Sequence, residues 1–140
     1  MNDRSWRIWV ARLLIGVVTF WNLLAAIQFL TRPAVYAPGF ELEGAAGSAM
    51  IQGMGLLFMM WNIPYLIALL NPVRNRLSLT EAVIMQIIGA AGETLLLSSL
   101  QGDHLAIRST VTRFILFDSI GVLLLVAAWG ILRKRIPGQE

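Results

Sequence analysis

Two acidic residues stand inside otherwise apolar stretches of this chain. Glu93 lies in "GAAGETLLLSSL" and Asp118 lies in "FILFDSIGVLLL". Carboxyl groups in such surroundings can exchange a proton, bind a cation or act as a general acid and base. If the two lie together, burial and like charge favour protonation of one, which can then donate a hydrogen bond to its neighbour. The pair therefore predicts a proton, cation or ligand site.

Other polar and aromatic side chains are predicted to share that site. The candidates for binding a proton or ligand are Glu93, Asp118, Asn22, Gln52, Arg113, Gln86, Asn62 and Trp61. Amides both donate and accept hydrogen bonds, so they can satisfy a carboxyl group. The long side chain of Arg113 could also reach either acid. In that case the cluster would hold helices together and would have no ligand.

Most catalytic and metal chemistries lack their residues. The chain has no cysteine and one histidine, His104, whose neighbour Asp103 does not complete a metal site. Ser98 and Ser99 have no base at triad-like spacing. Phosphate-binding loops, zinc motifs and dinucleotide fingerprints are absent from the sequence. We therefore predict no catalytic residue, no metal and no cofactor.

The composition indicates which medium surrounds these residues. Of 140 residues, 57% are hydrophobic and 14% are charged, whereas soluble domains carry about 25% charged residues. So much apolar surface is too much for a water-soluble core of this size. The net charge of +3 is small, and the basic residues cluster near segment ends. The predicted partner is therefore the lipid bilayer, and nucleic acid is not expected.

Four stretches are long enough to cross a bilayer as helices, which takes roughly 20 residues. They are predicted at about 8–30, 47–70, 79–100 and 111–132. The third is expected to open with the capping box "SLTE", in which Ser78 caps the helix and Glu81 folds back. Residues 1–140 then form a single all-α domain, an integral membrane four-helix transmembrane bundle.

The basic residues predict the orientation of this bundle. One side carries Arg4, Arg7, Arg12, Arg74, Arg76, Arg133, Lys134 and Arg135, whereas the other carries Arg32, Arg108 and Arg113. Since Lys and Arg accumulate on the cytoplasmic side, both the N and C termini are expected to be cytoplasmic. The chain is then a multi-pass protein of the cell (plasma) membrane, in a bacterium the inner membrane.

Depth and helical spacing place the polar residues together. Glu93 and Asp118 each lie about seven residues from the outer end of a helix, roughly 10 Å deep at 1.5 Å per residue. Each helix carries a stripe of polar and small residues at 4-3 spacing, for example Ser48, Gln52, Gly55, Met59 and Asn62. We therefore expect the stripes to converge on the bundle interior as one polar layer.

Two further features concern the shape of the bundle. Pro64 should kink or locally unwind the second helix next to Asn62. The apolar outer loop "TRPAVYAPGFELEG" either folds over the mouth of the bundle as a lid or lies in the headgroup layer. The sequence slightly favours the headgroup layer.

The layout resembles the DoxX-like small four-helix bacterial membrane proteins. The shared features are "ARLLIG" in the first span, a proline-containing outer loop, the glycine-rich "IQGMGLLF" and the basic turn "NPVRNR". The similarity covers the architecture of most of the chain. It implies a fold type and a bacterial membrane, but no activity.

Three functions are compatible with these observations. The first is binding or transport of a proton, cation or small lipophilic solute at the carboxylate and amide layer. The second is a non-catalytic structural or accessory subunit, paired with itself as a homo-oligomer or with a membrane partner protein. The third is a membrane-embedded enzyme acting on a lipid-like substrate. The missing catalytic motifs weigh against the third, and transport through one small bundle would require an oligomer.

Overall fold

A computed structural model describes residues 3–133, and every regular element in that range is a helix. The elements are α1 (Asp3–Thr31), α2 (Pro33–Tyr36), a 3₁₀ helix (Ala37–Phe40), α3 (Gly44–Trp61), α4 (Ile63–Leu70), α5 (Arg76–Ser99) and α6 (Leu105–Arg133). Lys134 and Arg135, which contribute to the predicted orientation, lie outside the described residues.

Four helical segments are long and apolar enough to cross a membrane. They are α1, the α3–α4 pair, α5 and α6. The prediction of an all-helical chain with four such segments is therefore confirmed. All four segments begin before the predicted ranges, and α6 begins six residues early at Leu105. A charged residue such as Arg108 can lie inside a helix near the end of a span, because its long side chain carries the charge toward the interface.

The second span is interrupted at Asn62, as predicted from Pro64. α3 ends at Trp61 and α4 begins at Ile63, with the proline in the first turn of α4. Proline has no N–H group and tolerates only the start of a helix. The Asn62 N–H group contacts the carbonyls of both Phe58 and Met59, a shared contact typical of a helix end.

The predicted capping box at the start of α5 is wrong. The helix begins at Arg76, after Asn75, so Ser78 already lies inside it. The preceding turn explains the early start. The Asn75 N–H group donates to the Asn71 carbonyl at 2.9 Å, and its side-chain amide donates to the Ile67 carbonyl at 2.8 Å. These bonds tie the turn to the end of α4 without using Ser78.

One half of the bundle is closely packed. A cluster of buried side chains fills it, consisting of Ala11, Ile15, Val18, Tyr65, Ala68, Leu79, Ala82, Leu125 and Ala128. We call this region the packed half. Four alanines in the cluster let the helix backbones approach closely, which is the main source of helix association in lipid. α1, α4, α5 and α6 all contribute to it.

The loop between α1 and α3 lies on the bundle and forms a lid over its other half. Residues 33–42, named the lid segment, contain α2 and the 3₁₀ helix and contact α1, α3 and α6. Ala37 is buried with Phe29 and Ile51, and the ring of Phe40 stacks on Phe114. Its aromatic side chains pack against other rings. That the loop also lies in the headgroup layer stays a prediction.

Candidate ligand-binding site

The half of the bundle opposite the packed half contains a cavity of about 360 Å³. Its wall combines side chains from α1, the lid segment, α3, α5 and α6, and we call this region the cavity half. Ligand pockets in proteins have volumes of about 300–1,000 Å³. The cavity is therefore large enough for a small organic molecule.

Seven of the 18 residues that line the cavity are aromatic. The rings that line it are those of Trp21, Phe29, Tyr36, Phe58, Trp61, Phe114 and Phe117. Trp21 meets Phe117 edge to face with 5.8 Å between ring centroids, and Phe58 meets Phe114 in the same way at 6.3 Å. Aromatic side chains are rigid and wide, so rings packed in this way keep a space open that flexible aliphatic chains would fill.

A hydrogen-bonded chain connects the packed half to the cavity. The hydroxyl group of buried Tyr65 donates to Gln86 Oε1 at 2.6 Å, and Gln86 Nε2 donates to Asp118 Oδ1 at 2.7 Å. Two glycines make room for these groups. A Cβ atom at Gly121 would lie 2.6 Å from Gln86 Nε2, and one at Gly89 would overlap Asp118 Oδ2. This chain fixes the position of Asp118 on the cavity wall.

Asn62 contributes an unpaired acceptor. Its side chain is fully buried, and its Nδ2 group donates to the Phe58 carbonyl at 2.7 Å. A carbonyl group only accepts hydrogen bonds, so the amide orientation is fixed and Oδ1 must face away from it. Asn62 Oδ1 is buried and has no hydrogen-bond partner. Asn62 lines the cavity, so the helix break leaves a buried acceptor without a partner in the cavity wall.

Glu93 contributes a second unpaired acceptor. Its Oε2 atom is buried without a hydrogen-bond partner, although the residue lines the cavity. Glu93 follows Gly89 by one helical turn, and Gly89 lies against the Asp118 carboxylate. The two acids therefore occupy neighbouring levels of one wall.

Arg113 lines the same cavity but does not neutralise either acid. Its Nε atom donates to the Ser109 carbonyl at 3.3 Å, and its Nη2 atom contacts Ser109 Oγ at 3.5 Å. Within residues 5–133, the only contact within 4.0 Å between an acidic and a basic side chain joins His104 to Glu41. The arginine bridge that would make the acidic cluster purely structural is thus not formed.

The structure brings seven of the eight predicted site residues to the cavity. Glu93, Asp118, Asn22, Arg113, Gln86, Asn62 and Trp61 all line it. Gln52 does not; it is exposed, and its Nε2 atom donates to the Leu30 carbonyl at 3.3 Å. Including Gln52 in the polar layer was wrong. Gly55 of the predicted stripe is buried and lies close to α1, but Ile51 occupies the buried position that was expected for Gln52.

Several contributors to the site were missed by the sequence analysis. Tyr65 supports Gln86, while Gln28 lines the cavity and accepts a hydrogen bond from Tyr36 of the lid segment at 2.9 Å. Tyr65 follows Asn62 by three residues, so helical spacing could have placed it on the same face. The Tyr36–Gln28 bond depends on the folded lid segment, for which the sequence carried no clear signal.

The cavity reaches the protein surface. Its wall includes Leu24, Arg113 and Phe117, which are all exposed. The side chains of Leu24 and Phe117 are 41% and 49% accessible. A molecule at that surface therefore has access to the site.

A metal ion is not favoured by these residues. Across the described part of the chain, no three His, Cys, Asp or Glu residues group closely enough to hold one. The cavity therefore combines aromatic rings, two acids and two buried acceptor atoms that have no donors. Such a site suits a small molecule that supplies hydrogen-bond donors and an apolar body.

Comparison with known proteins finds no matching family model, no matching curated protein and no matching solved structure.

Proposed function

We propose that this chain is a multi-pass membrane protein that binds a small lipophilic solute inside its helical bundle. The observation that carries the proposal is the cavity of about 360 Å³, in which buried oxygens of Asn62 and Glu93 have no hydrogen-bond partners. A buried acceptor without a partner costs about 1–3 kcal/mol. A bound solute with a polar donor end and an apolar body would remove that cost.

Ligand binding accounts for this arrangement better than helix association does. Polar groups that only join helices bond to each other, as Tyr65 and Gln86 do. Glu93 leaves an oxygen free, and Arg113 is engaged with Ser109. The polar residues of α5 and α6 line an internal space, so they need no partner subunit. The accessory-subunit and enzyme hypotheses have no comparable support.

Binding is favoured over passage through a single protomer. The packed half closes one end of the bundle with fully buried side chains such as Ile15, Leu79 and Leu125. A solute in the cavity would therefore enter and leave from the same half of the membrane. Transport would require these helices to separate or copies of the chain to associate as a homo-oligomer.

We further propose a bacterial plasma membrane with both termini in the cytoplasm. The arginine-rich ends of the spans support this orientation. In the structure, Arg12 donates to the Leu70 carbonyl and Arg76 donates to the Leu132 carbonyl at 3.4 Å, each at the C-terminal end of a helix. Cations there also favour the helix dipole. The lid segment and the cavity would then face the outer leaflet, consistent with the resemblance to DoxX-like proteins.

The proposal is tested by filling the cavity. Ala25 lines it, and Ala25→Leu adds apolar volume there. Binding is measured in lipid nanodiscs as the saturable rise in unfolding temperature with 2-phenylethanol or 2-phenylethylamine. We expect at least one probe to bind the natural protein and Ala25→Leu to weaken that binding at least about tenfold.

The matched control is Ala127→Leu, the same change at an exposed position of α6. It should leave binding unchanged, which separates occupation of the cavity from partitioning of the probe into lipid. Circular dichroism and the unfolding temperature without probe show whether Ala25→Leu remains folded. If both probes act equally on the natural protein and on folded Ala25→Leu, the proposed function is wrong.

A further inference from the structure

The buried atoms of the cavity that lack partners share one chemical character. Each of the two buried amides donates one hydrogen bond within the protein, from Asn62 Nδ2 to the Phe58 carbonyl and from Gln86 Nε2 to Asp118. The buried atoms left without partners are oxygens, Asn62 Oδ1 and Glu93 Oε2. Asn62 Oδ1 is an acceptor, and Glu93 Oε2 is one when a bound cation holds the carboxyl group in its ionised form. A ligand with N–H donors and a positive charge would satisfy both oxygens.

The charges of the cavity wall favour a positively charged ligand. Glu93 and Asp118 are acidic, and the one cation on the described wall, Arg113, is directed to Ser109. A positively charged donor would interact with both acids in a medium that screens charge poorly. Tyr36 is the remaining titratable group of the wall, and its hydroxyl group already donates to Gln28.

The aromatic wall suits the same ligand in two ways. An ammonium group is attracted to the face of an indole, and Trp21 and Trp61 both line the cavity. An aromatic body can pack edge to face against the phenylalanine rings. Benzene fills an apolar cavity of about 150 Å³, so a volume of about 360 Å³ has room for a ring with a short amine chain.

We propose that the ligand is a lipophilic primary or secondary amine bound in its ammonium form, with its N–H groups on Glu93 Oε2 and Asn62 Oδ1 and its apolar body on the aromatic wall. This inference rests on the proposed function, because it names the class of solute for that site. It goes beyond that function because it requires the ligand to carry both a positive charge and N–H donors.

Three probes of one skeleton separate these requirements. They are 2-phenylethylamine, the neutral 2-phenylethanol and trimethyl(2-phenylethyl)ammonium, which is charged but has no N–H group. Affinities are measured by the same nanodisc assay at neutral pH. We expect the primary amine to bind at least about tenfold more tightly than either analogue, because each analogue leaves an acid or an acceptor unsatisfied.

The variant Glu93→Gln tests the assigned contact. It keeps the shape and an acceptor but removes the charge, so we expect amine affinity to fall about tenfold and alcohol affinity to change less than about twofold. The matched control is Glu81→Gln, an exposed position on the same helix. It removes one negative charge outside the cavity and should not alter the ratio of affinities.

The outcomes distinguish this inference from the proposed function. Equal binding of the amine and the alcohol, both weakened by Ala25→Leu, would overturn the amine while leaving a solute site intact. Equal binding of the quaternary cation would overturn the role of the N–H donors. An unchanged amine preference in folded Glu93→Gln would overturn the contact with Glu93. If Ala25→Leu weakened the binding of none of the three probes, the proposed function itself would be wrong.

Discussion

The packed half and the cavity half are built from the same four spans but meet in opposite ways. In the packed half, Ala11, Ala68, Ala82 and Ala128 bring the backbones together, and Leu125 fills the remaining space. In the cavity half, the corresponding space is bounded by aromatic rings and polar groups and stays open at about 360 Å³. In this bundle, small side chains allow the helices of the packed half to approach closely, whereas wide, rigid rings keep the helices of the cavity half apart.

The two halves also differ in whether their buried polar groups have hydrogen-bond partners. Tyr65, in the packed half, is fully buried and its hydroxyl group has a partner at 2.6 Å. In the cavity half, Asn62 and Glu93 each bury an oxygen without a partner. Outside the cavity, Arg12 Nε is also buried without a partner. Asn62 and Glu93 differ from it because both line one cavity, where a single ligand can supply their missing donors.

The largest expected effect separates the two halves by packing. Leu125→Ala, in the packed half, should lower the free energy of unfolding by about 2 kcal/mol. This lies at the low end for such changes because the unfolded reference state also remains in lipid, where only lost packing counts. Leu24→Ala, on the cavity wall and 41% exposed, should cost less than about 1 kcal/mol. Denaturation in detergent micelles measures both.

Equal losses for the two variants would contradict this distinction. They would mean that Leu24 is packed as tightly as Leu125, and that the cavity is filled in the membrane by rearranged side chains. Binding measurements on Leu24→Ala then show whether the space remains open to a probe.

An intermediate effect is expected for the two tyrosine hydroxyl groups. Tyr65→Phe removes the donor to Gln86 and leaves a buried amide oxygen unpaired, so it should cost about 1–2 kcal/mol. Tyr36→Phe makes the same chemical change in the lid segment, where the bond to Gln28 is only half-buried. It should cost less than about 0.5 kcal/mol, since water can replace the lost partner.

A double-mutant cycle sharpens this result. Combining Tyr65→Phe with Gln86→Leu should show a coupling free energy of about 0.6 kcal/mol or more, as expected for a bond between membrane helices. Strict additivity would show that the 2.6 Å contact does not join α4 to α5. A larger loss for Tyr36→Phe than for Tyr65→Phe would reverse the comparison of the two halves.

Much of the fold was predictable because it depends on local or composition-wide properties. Apolar length gave the four spans, and Pro64 gave the break at Asn62. Depth and helical spacing brought Glu93, Gln86 and Asp118 to a common space. These quantities depend on rise and rotation per residue, which are nearly constant in helices.

The errors lie where contacts between segments decide the structure. On α3, Gly55 is buried against α1 as the stripe predicts, but its buried neighbour one turn earlier is Ile51 and not Gln52. Ser78 does not cap α5, because Asn75 ties the turn to Ile67. The lid segment packs over the cavity through contacts such as that of Phe40 with Phe114, a residue more than 70 positions away in the sequence. A single sequence does not specify such pairings.

The smallest expected effect concerns how firmly the lid segment closes the cavity half. Glu41 Oε2 lies 2.6 Å from His104 Nδ1, and this contact joins the lid segment to the turn before α6. Glu41 has a left-handed backbone (φ 55°), a conformation unfavourable for most side chains. Glu41→Ala retains that backbone requirement and removes the contact. Exposed pairs contribute little to global stability, so local opening of the lid segment should be more sensitive than unfolding.

Hydrogen exchange at the Glu41 and Leu42 amides measures this opening. These amides donate to Pro38 and Ala37 at 3.0 Å within the lid segment. Glu41→Ala should accelerate their exchange about threefold, with no change in α4 of the packed half. The matched control is Glu43→Ala, which removes the same charge from an exposed position where no side-chain cap bond forms. If both variants accelerate exchange equally, general surface charge rather than the contact with His104 controls the lid segment, and its closure over the cavity depends on aromatic packing alone.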